Sequence, residues 1–152
     1  VTRVLCAAPN YVEKFGNPGH PNELPSDNGL FYQLFDITHD VWEFSHKGIE
    51  FKIKMNGNRA SNDGDVVRRW CVAGKGLAVK SCLDMSPDLL TGNVLSLMPD
   101  FLPTPTELWL ICPSRQLLTP AVRLLRDTLK EKCSAILPQL IEHSVIDHNA
   151  VV

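Results

Sequence analysis

Polar and apolar residues alternate along residues 49–55, where charged side chains stand between apolar ones. A period of two predicts a β-strand with one face in solvent and one face buried. Residues 41–44 are also typical of a strand, and the dipeptide Lys47-Gly48 stands between the two segments. The pattern therefore predicts a β-hairpin that turns at these two residues.

Short apolar segments, separated by proline and glycine, make up the N-terminal part of the chain. Residues 4–8 form an apolar run that ends at Pro9, which predicts a buried strand. We expect a short helix over residues 10–15, a loop over residues 16–29 and a strand over residues 30–35.

A helical period replaces the alternation after residue 61. Asn56-Gly57-Asn58 predicts a turn, and a short strand should follow it to Ser61. Apolar residues then recur at helical spacing until Gly74, and residues 76–79 form another short apolar run. A helix between two strands predicts a βαβ unit with a parallel pair of strands.

The last third of the chain predicts two strands, over residues 93–98 and 107–112, and one long helix over residues 120–137. The helix carries an apolar stripe with steps of three and four, formed by Val122, Leu125, Leu129, Cys133 and Ile136. Pro138 should end or kink it, and residues 138–152 should form a flexible tail. The element pattern as a whole predicts an α/β protein.

Composition narrows the class of protein. The chain has 152 residues, 44% hydrophobic and 21% charged, which suits one soluble globular domain. The formal net charge is −2, so we do not expect this chain to bind DNA by itself. No apolar run approaches the ~18–20 residues of a membrane span, and the N-terminal residues predict no signal peptide.

Cysteine and histidine patterns predict neither a metal site nor a cofactor. The five cysteines are widely spaced without a CxxC motif, which predicts reduced thiols in a cytoplasmic protein. No two histidines have the i, i+4 spacing of a helical metal pair.

Catalytic motifs are also missing from the sequence. It contains no GxSxG, and no local signature marks Cys6 as a nucleophile, so a structural thiol is expected there. Gly74-Lys75-Gly76 lacks the remaining residues of a phosphate loop and predicts a tight turn with positive φ. We therefore predict that the protein is not an enzyme.

The segment Ser61-Asn62-Asp63-Gly64 precedes the predicted crossover helix. Free N–H groups at a helix start can hold an anion if they face a cleft. The alternative is ordinary capping by Ser61 or Asn62. The Asp63 carboxylate can itself occupy the helix end, in which case it points away from a ligand or hydrogen-bonds a polar one.

Seven short motifs resemble the regulatory domain of LysR-type transcription regulators, in order and nearly without gaps over residues 1–131. They are residues 3–11 (RVLCAAPNY), 16–18 (GNP), 42–44 (WEF), 61–64 (SNDG), 73–78 (AGKGLA), 89–95 (LLTGNVL) and 112–120 (CPSRQLLTP). The sequence departs from the family pattern at Lys75, where a small or apolar residue is usual. It departs again at Lys80-Ser81-Cys82, where the strand usually runs on to a proline.

The resemblance implies a fold similar to type 2 periplasmic binding proteins, with an effector between two αβ subdomains. It implies a partial effector-binding domain over residues 1–137, with the second subdomain at about residues 8–106 and a return strand at 107–112. The helix at 120–137 would belong with the first subdomain, and the N-terminal helix-turn-helix would be absent from this chain.

The resemblance also implies a site and partners. Effector-binding residues are expected at the crossover, at one strand end and at the helix start: Ala8, Pro9, Tyr32, Gln33, Leu34, Asn62, Asp63, Gly64 and Val66. The partners are a small polar or anionic effector, further copies of the protein, and DNA through the absent domain. The apolar stripe of the 120–137 helix also needs a surface to cover it, so we expect it to pack against another copy or to fold back onto this domain.

Two alternatives to the effector sensor remain. A solute-binding protein shares the architecture but requires export. A thiol-based sensor requires an exposed cysteine of low pKa, with Cys71 and Cys82 as the candidates.

Overall fold

The structure is a computed structural model that describes residues 2–106 and 119–142. Its strands are Arg3–Ala7 (β1), Asn28–Leu34 (β2), Ile37–Thr38 (β3), Val41–His46 (β4), Ile49–Lys54 (β5), Asn56–Ser61 (β6), Ala78–Ser81 (β7), Leu95–Ser96 (β8) and Leu102–Pro103 (β9). Its helices are Pro9–Phe15 (α1), Gly64–Val72 (α2), Cys82–Thr91 (α3) and Pro120–Glu142 (α4), with a 3-10 helix at Pro21–Ser26. The predicted α/β class is confirmed.

Strands β2 and β6 are parallel, and an isolated parallel bridge between Gly29 and Leu77 connects β2 to the segment that leads into β7. Leu77 N donates to the Asn28 carbonyl (2.9 Å), and Leu30 N donates to the Leu77 carbonyl (2.8 Å). β1 is antiparallel to both β7 and β8. Strands β2, β6 and β7 thus share one direction, and β1 runs the opposite way.

The crossover through α2 differs from the predicted βαβ unit in one respect. β6 and β7 are parallel, as expected, but they are not paired with each other, because β2 pairs with β6 on one side and bridges to Leu77 on the other. The helix therefore crosses over a neighbouring strand, which sequence periodicity does not indicate.

The predicted hairpin of β4 and β5 is confirmed. His46 pairs with Ile49, and Lys47 and Gly48 both have positive φ, at 50° and 77°. These signs match a type I′ turn, whose twist fits paired strands. The side chains of β5 alternate as the sequence predicts, since Ile53 is buried and its charged neighbours are exposed.

Within residues 2–106 and 119–142, two hydrophobic clusters hold the fold. One lies among β1, β2, β7, α2 and α3, and its buried members include Cys6, Leu30, Cys71, Met85 and Leu89. The other includes residues of the β4–β5 hairpin, with Tyr11, Phe31, Trp42, Phe44 and Leu97 among its members.

The segment predicted as a loop over residues 16–29 contains the 3-10 helix Pro21–Ser26. His20 Nδ1 accepts a hydrogen bond from Asn22 N (3.1 Å), and the Glu23 carboxylate accepts from the backbone N–H groups of Gly19 (2.6 Å) and His20 (3.2 Å). These reciprocal bonds form a capping box around a histidine, whereas the usual cap is serine or threonine. The prediction of a plain loop was wrong here.

The predicted turn at Asn56-Gly57-Asn58 was also wrong, because β6 begins at Asn56. The Asn28 side chain holds this segment in the sheet: its Nδ2 donates to Asn58 Oδ1 (3.0 Å), and its Oδ1 accepts from Asn58 N (3.2 Å). A long-range contact thus makes a strand from residues that favour turns.

Helix α3 was not predicted, because Pro87 lies inside it and masks the helical pattern. Proline cannot donate to the carbonyl four residues earlier. That carbonyl, of Leu83, instead accepts a hydrogen bond from the Ser86 hydroxyl (3.3 Å). Gly92, with φ of 78°, ends the helix in the left-handed conformation. The next predicted strand, residues 93–98, is shortened to β8.

Helix α4 confirms the predicted long helix and continues past Pro138 to Glu142. Pro138 therefore does not end the helix, and the alternative, that it kinks the helix, stays a prediction. Of the predicted stripe, Ile136 packs against the cluster that contains Met85, whereas Leu125 and Leu129 are 51% and 42% exposed. The helix therefore folds back onto α3 around Ile136. The predicted strand at 107–112 and residues 143–152 of the predicted tail lie outside the described residues.

Candidate functional site

The carboxyl edge of the sheet is the edge at which β2, β6 and β7 end, near Tyr32, Ser61 and Lys80. Tyr32 pairs directly with Ser61 across the parallel strands, and α2 begins at Gly64. Residues 32–34, at the end of β2, therefore lie beside residues 62–64, which connect β6 to α2. In open α/β sheets, ligands bind outside the carboxyl ends of the strands.

Asp63 is the N-cap of α2, in place of the expected Ser61 or Asn62. Its Oδ1 accepts a hydrogen bond from Asp65 N (2.9 Å), and the Ser61 hydroxyl oxygen accepts from Asp63 N (3.1 Å). The Asp63 carboxylate thus stands at the positive end of the helix dipole, where it is favoured. Asn62 and Asp63 remain exposed, and Gly64 and Val66 are half-buried.

The first turn of α2 carries a second carboxylate that is already paired. Arg68 Nε donates to Asp65 Oδ1 (3.0 Å) and Arg69 Nε lies 2.9 Å from Asp65 Oδ2. The Arg68 hydrogen bond holds the pKa of the Asp65 carboxyl below its usual value. Asp65 is therefore engaged on its own helix.

Lys80 lies beneath the first turn of α2, and sequence reasoning missed it as a neighbour of the site. Its Nζ donates to the Gly64 carbonyl (3.1 Å) and lies 3.3 Å from Asp84 Oδ2 in the first turn of α3. The available signal was its departure from the family pattern, a charged residue at the end of an apolar strand.

The end of β2 is exposed. Tyr32 is 39% and Leu34 is 41% exposed, and Gln33 is half-buried. The Tyr32 ring stacks on the His39 ring at a centroid distance of 6.0 Å. The strand continues into a tight turn at Phe35 and Asp36 before β3 pairs back onto it.

Ala8 and Pro9 are not at the carboxyl edge. β1 is antiparallel to β7, with Cys6 opposite Ala78, so β1 ends where β7 begins. Ala8 is buried at the start of α1, and its carbonyl accepts hydrogen bonds from Tyr11 N and Val12 N at 3.1 and 3.2 Å. The other predicted residues come together at the carboxyl edge, but these two lie at the opposite one, because strand direction cannot be read from an apolar run.

The cysteines proposed as redox sensors are inside the protein. The exposed fraction of Cys71 and of Cys82 is 0%. Cys71 Sγ lies 3.8 Å from the equally buried Cys6 Sγ. Burial raises the pKa of Cys82 to about 11, and the Cys71 thiol, with burial, raises that of Cys6. The environments of Cys6 and Cys82 therefore disfavour the thiolate, which is the reactive form.

Within residues 2–106 and 119–142, no group of three or more histidine, cysteine and acidic side chains is arranged to hold a metal ion. Across the same residues, the helices are too short or too polar to cross a bilayer.

Comparison with known proteins identifies the family. Residues 1–134 match the LysR substrate binding domain, and the chain belongs to that family. It is similar to the HTH-type transcriptional regulator DmlR of Escherichia coli K12, with 29% identity over 143 residues, which is 93% of this chain and 46% of that protein. It also resembles the transcriptional activator TtdR of the same strain, with 33% identity over 99 residues, 65% of this chain and 32% of that protein.

The fold is that of LysR-type regulatory domains, which is periplasmic-binding-protein-like. The regulatory domain of AphB from Vibrio vulnificus superposes with a TM-score of 0.66 at 22% identity, over 83% of this chain and 62% of that one. This likeness shows the fold alone. The chain spans less than half the length of the two regulators named above.

Proposed function

We propose that this chain is the effector-sensing domain of a bacterial DNA-binding transcription regulator and that a small metabolite binds at its carboxyl edge. The observation that carries the proposal is the meeting of the exposed ends of β2 and β6 with the first turn of α2, in a chain of the LysR substrate-binding family. The proposed ligand-contacting residues are Tyr32, Gln33, Leu34, Asn62, Asp63, Gly64 and Val66.

The second wall of this site is a further αβ subdomain. Residues 8–106 supply most of one subdomain, and α4 packs against the other through its exposed apolar residues. Leu124, Leu125 and Leu129 are 68%, 51% and 42% exposed, which supports a missing partner surface. A one-sided helix is stabilised mainly by burial of its apolar face.

The whole protein works in the cytoplasm as a homo-oligomer and binds DNA through a separate helix-turn-helix domain, with no catalytic step. The effector must bind one arrangement of the two subdomains more tightly than the other, because equal affinity for both shifts no equilibrium. The difference in affinity then sets the geometry that the DNA-binding domains present.

A thiol switch at Cys71 or Cys82 has less support. Both thiols are fully buried, whereas a redox sensor requires an accessible thiolate. Measurement of thiol reactivity in the folded chain tests this alternative directly: fast modification of either cysteine would revive it.

A thermal-shift screen tests the proposed function. The probes are amino acids, small carboxylic acids and their amides, applied to this chain and to a longer form that includes the first subdomain. A ligand at about a hundredfold excess over its Kd stabilises by about 2.7 kcal/mol. We expect ligands that stabilise the longer form more than this chain. If no probe stabilises either form while peroxide destabilises both, the effector proposal is contradicted.

A further inference from the structure

Lys80 is a largely buried cation at the carboxyl edge. Its side chain is only 12% exposed, although lysine is among the residues least often buried. It lies between the first turns of two helices, since its Nζ contacts the Gly64 carbonyl of α2 at 3.1 Å and Asp84 Oδ2 of α3 at 3.3 Å. The ammonium is therefore held at the edge where we propose that the effector binds.

The ion pair between Lys80 and Asp84 is unequal. The Asp84 side chain is 61% exposed, so this carboxylate is solvated and its release from the pair costs little. Lys80 cannot leave as easily, because its stem is buried and its charge needs a partner. An incoming anion that replaces Asp84 keeps the ammonium paired.

A glycine stands beside the ammonium. A Cβ atom at Gly64 would lie 3.2 Å from Nζ, so a larger residue at this position would crowd the ammonium. An ammonium has three N–H donors, and the described hydrogen bonds and ion pairs use the Gly64 carbonyl and Asp84.

Apart from Asp84, the carboxylates at the start of α2 do not compete for Lys80. Asp63 accepts a backbone hydrogen bond as the cap of α2, and Asp65 is paired with Arg68 and Arg69. The positive end of the α2 dipole is already occupied by Asp63, and Asp84 stands in the first turn of α3. Of these carboxylates, Asp84 is the one that is paired with Lys80.

We propose that Lys80 is a specificity-determining residue that binds a carboxylate group of the effector in exchange for Asp84. The effector is then a small organic acid. This inference rests on the proposed function, because it assumes that the ligand occupies the carboxyl edge.

Backbone amide NMR titration of the full chain tests the exchange, with succinate as the probe and succinamide as its uncharged match. Lys80→Met should weaken succinate binding by about tenfold, the loss of one charge-assisted hydrogen bond. Asp84→Asn should tighten it several-fold, because the competing carboxylate is gone. These opposite effects on succinate affinity distinguish an exchange of partners from a purely structural ion pair. If the pair were only structural, both substitutions would change the affinity in the same direction.

Lys54→Met is the matched control. Lys54 also pairs with an aspartate, Asp40, but its side chain is 69% exposed. Its replacement should leave succinate binding unchanged. Asp84→Asn changes an exposed side chain and keeps the test available if Lys80→Met does not fold.

The inference is overturned if succinate and succinamide bind equally, if succinate does not bind, or if Asp84→Asn weakens binding. Different results bear on the proposed function itself. If other metabolites perturb the amides of residues 32–34 and 62–66 with the same affinity in every variant, effector binding stands without Lys80. If no metabolite perturbs them, effector binding at this edge fails as well.

Discussion

The central sheet consists of β6, β2, β7, β1 and β8. The two edges at which its strands begin and end are built differently. At the amino edge, where β2 and β7 begin, backbone atoms are so close that Gly57 and Gly76 have no room for a Cβ atom: it would lie 2.1 Å from the Gly29 carbonyl oxygen and 2.4 Å from that of Asn28. At the carboxyl edge, the side chains of Tyr32 and Leu34 are exposed, and Lys80 is held by a solvated partner.

The two edges therefore have different roles: the amino edge supports folding stability, and the carboxyl edge suits ligand binding. Close backbone contacts at the amino edge fix the register of the strands and tolerate no added volume. The carboxyl edge has polar groups that can change partners at small cost, which suits a ligand site. Substitutions should therefore reduce folding stability most at the amino edge and change ligand binding most at the carboxyl edge.

The largest effect is expected for Gly76→Ala. The new Cβ would lie 2.4 Å from the Asn28 carbonyl oxygen, so the backbone must move. We expect a loss of about 3 kcal/mol in the free energy of unfolding, measured by urea denaturation. Gly19→Ala is the control, because its Cβ would meet only a flexible glutamate oxygen at 3.9 Å. Equal losses in the two variants would remove the contrast between the edges.

The next largest effect is expected for Tyr11→Phe at the amino edge. The Tyr11 hydroxyl donates to Asp27 Oδ1 (2.9 Å) and accepts from Asn28 N (3.1 Å). Its removal leaves both groups without this partner and should cost about 1.5 kcal/mol, read from urea denaturation at neutral pH. A loss below about 0.5 kcal/mol would show that water replaces the hydroxyl freely.

The raised pKa of Tyr11 predicts that folding stability depends on pH. Burial raises the pKa of its phenol from 10.0 to about 12, so the folded state favours the protonated form. The contribution of this pKa shift to the free energy of unfolding is fully present below pH 10 and is lost as the pH rises towards 12. The stability difference between the native chain and Tyr11→Phe should therefore shrink across this window. A constant difference would contradict the shift, and ionisation of Cys82 cancels because both proteins contain it.

A smaller effect is expected for Asp63→Ala at the carboxyl edge. The loss of the N-cap bond to Asp65 N should cost about 1 kcal/mol. Asp63→Asn keeps a capping oxygen and should be nearly neutral in thermal denaturation. If the two variants lose equal stability, the charge of Asp63 matters more than its hydrogen bond.

The smallest effect, and the only predicted gain among these variants, is for Phe35→Asn. Phe35 has φ of 50° and is 88% exposed, so its side chain occupies a left-handed position without packing in return. Asparagine tolerates this conformation, and we expect a gain of up to about 1 kcal/mol in thermal denaturation. Gly48→Ala, at φ of 77° in the β4–β5 turn, should have the opposite sign. A loss of stability in Phe35→Asn would show that the phenyl ring packs in solution.

The sequence predicts those parts of the fold in which local pattern and tertiary contact agree. The β4–β5 hairpin follows from strict alternation around Lys47-Gly48, and α2 follows from helical spacing before Gly74. Helix α3 was not predicted, because Pro87 favours a helix end and the Ser86 hydroxyl supplies the hydrogen bond to Leu83 that proline cannot make. Asn56 to Asn58 favour a turn, and the distant Asn28 side chain makes them a strand.

The candidate site was predicted in part for the same reason. Residues 32–34 and 62–64 lie at element ends that the local pattern marks, and parallel pairing brings them together. Ala8 and Pro9 were placed with them, but the antiparallel direction of β1 puts them at the other edge. Lys80 reaches Gly64 only because α2 crosses over β2, which no local pattern records.

The most direct test of effector binding is a map of backbone amide shifts in this chain with the metabolite that stabilises it most in the thermal screen. We expect shifts concentrated at residues 32–34, 61–66 and 80–84, with residues 8–11 and 74–77 unchanged. Shifts centred on the amino edge, or spread evenly over both edges, would contradict a ligand site at the carboxyl edge.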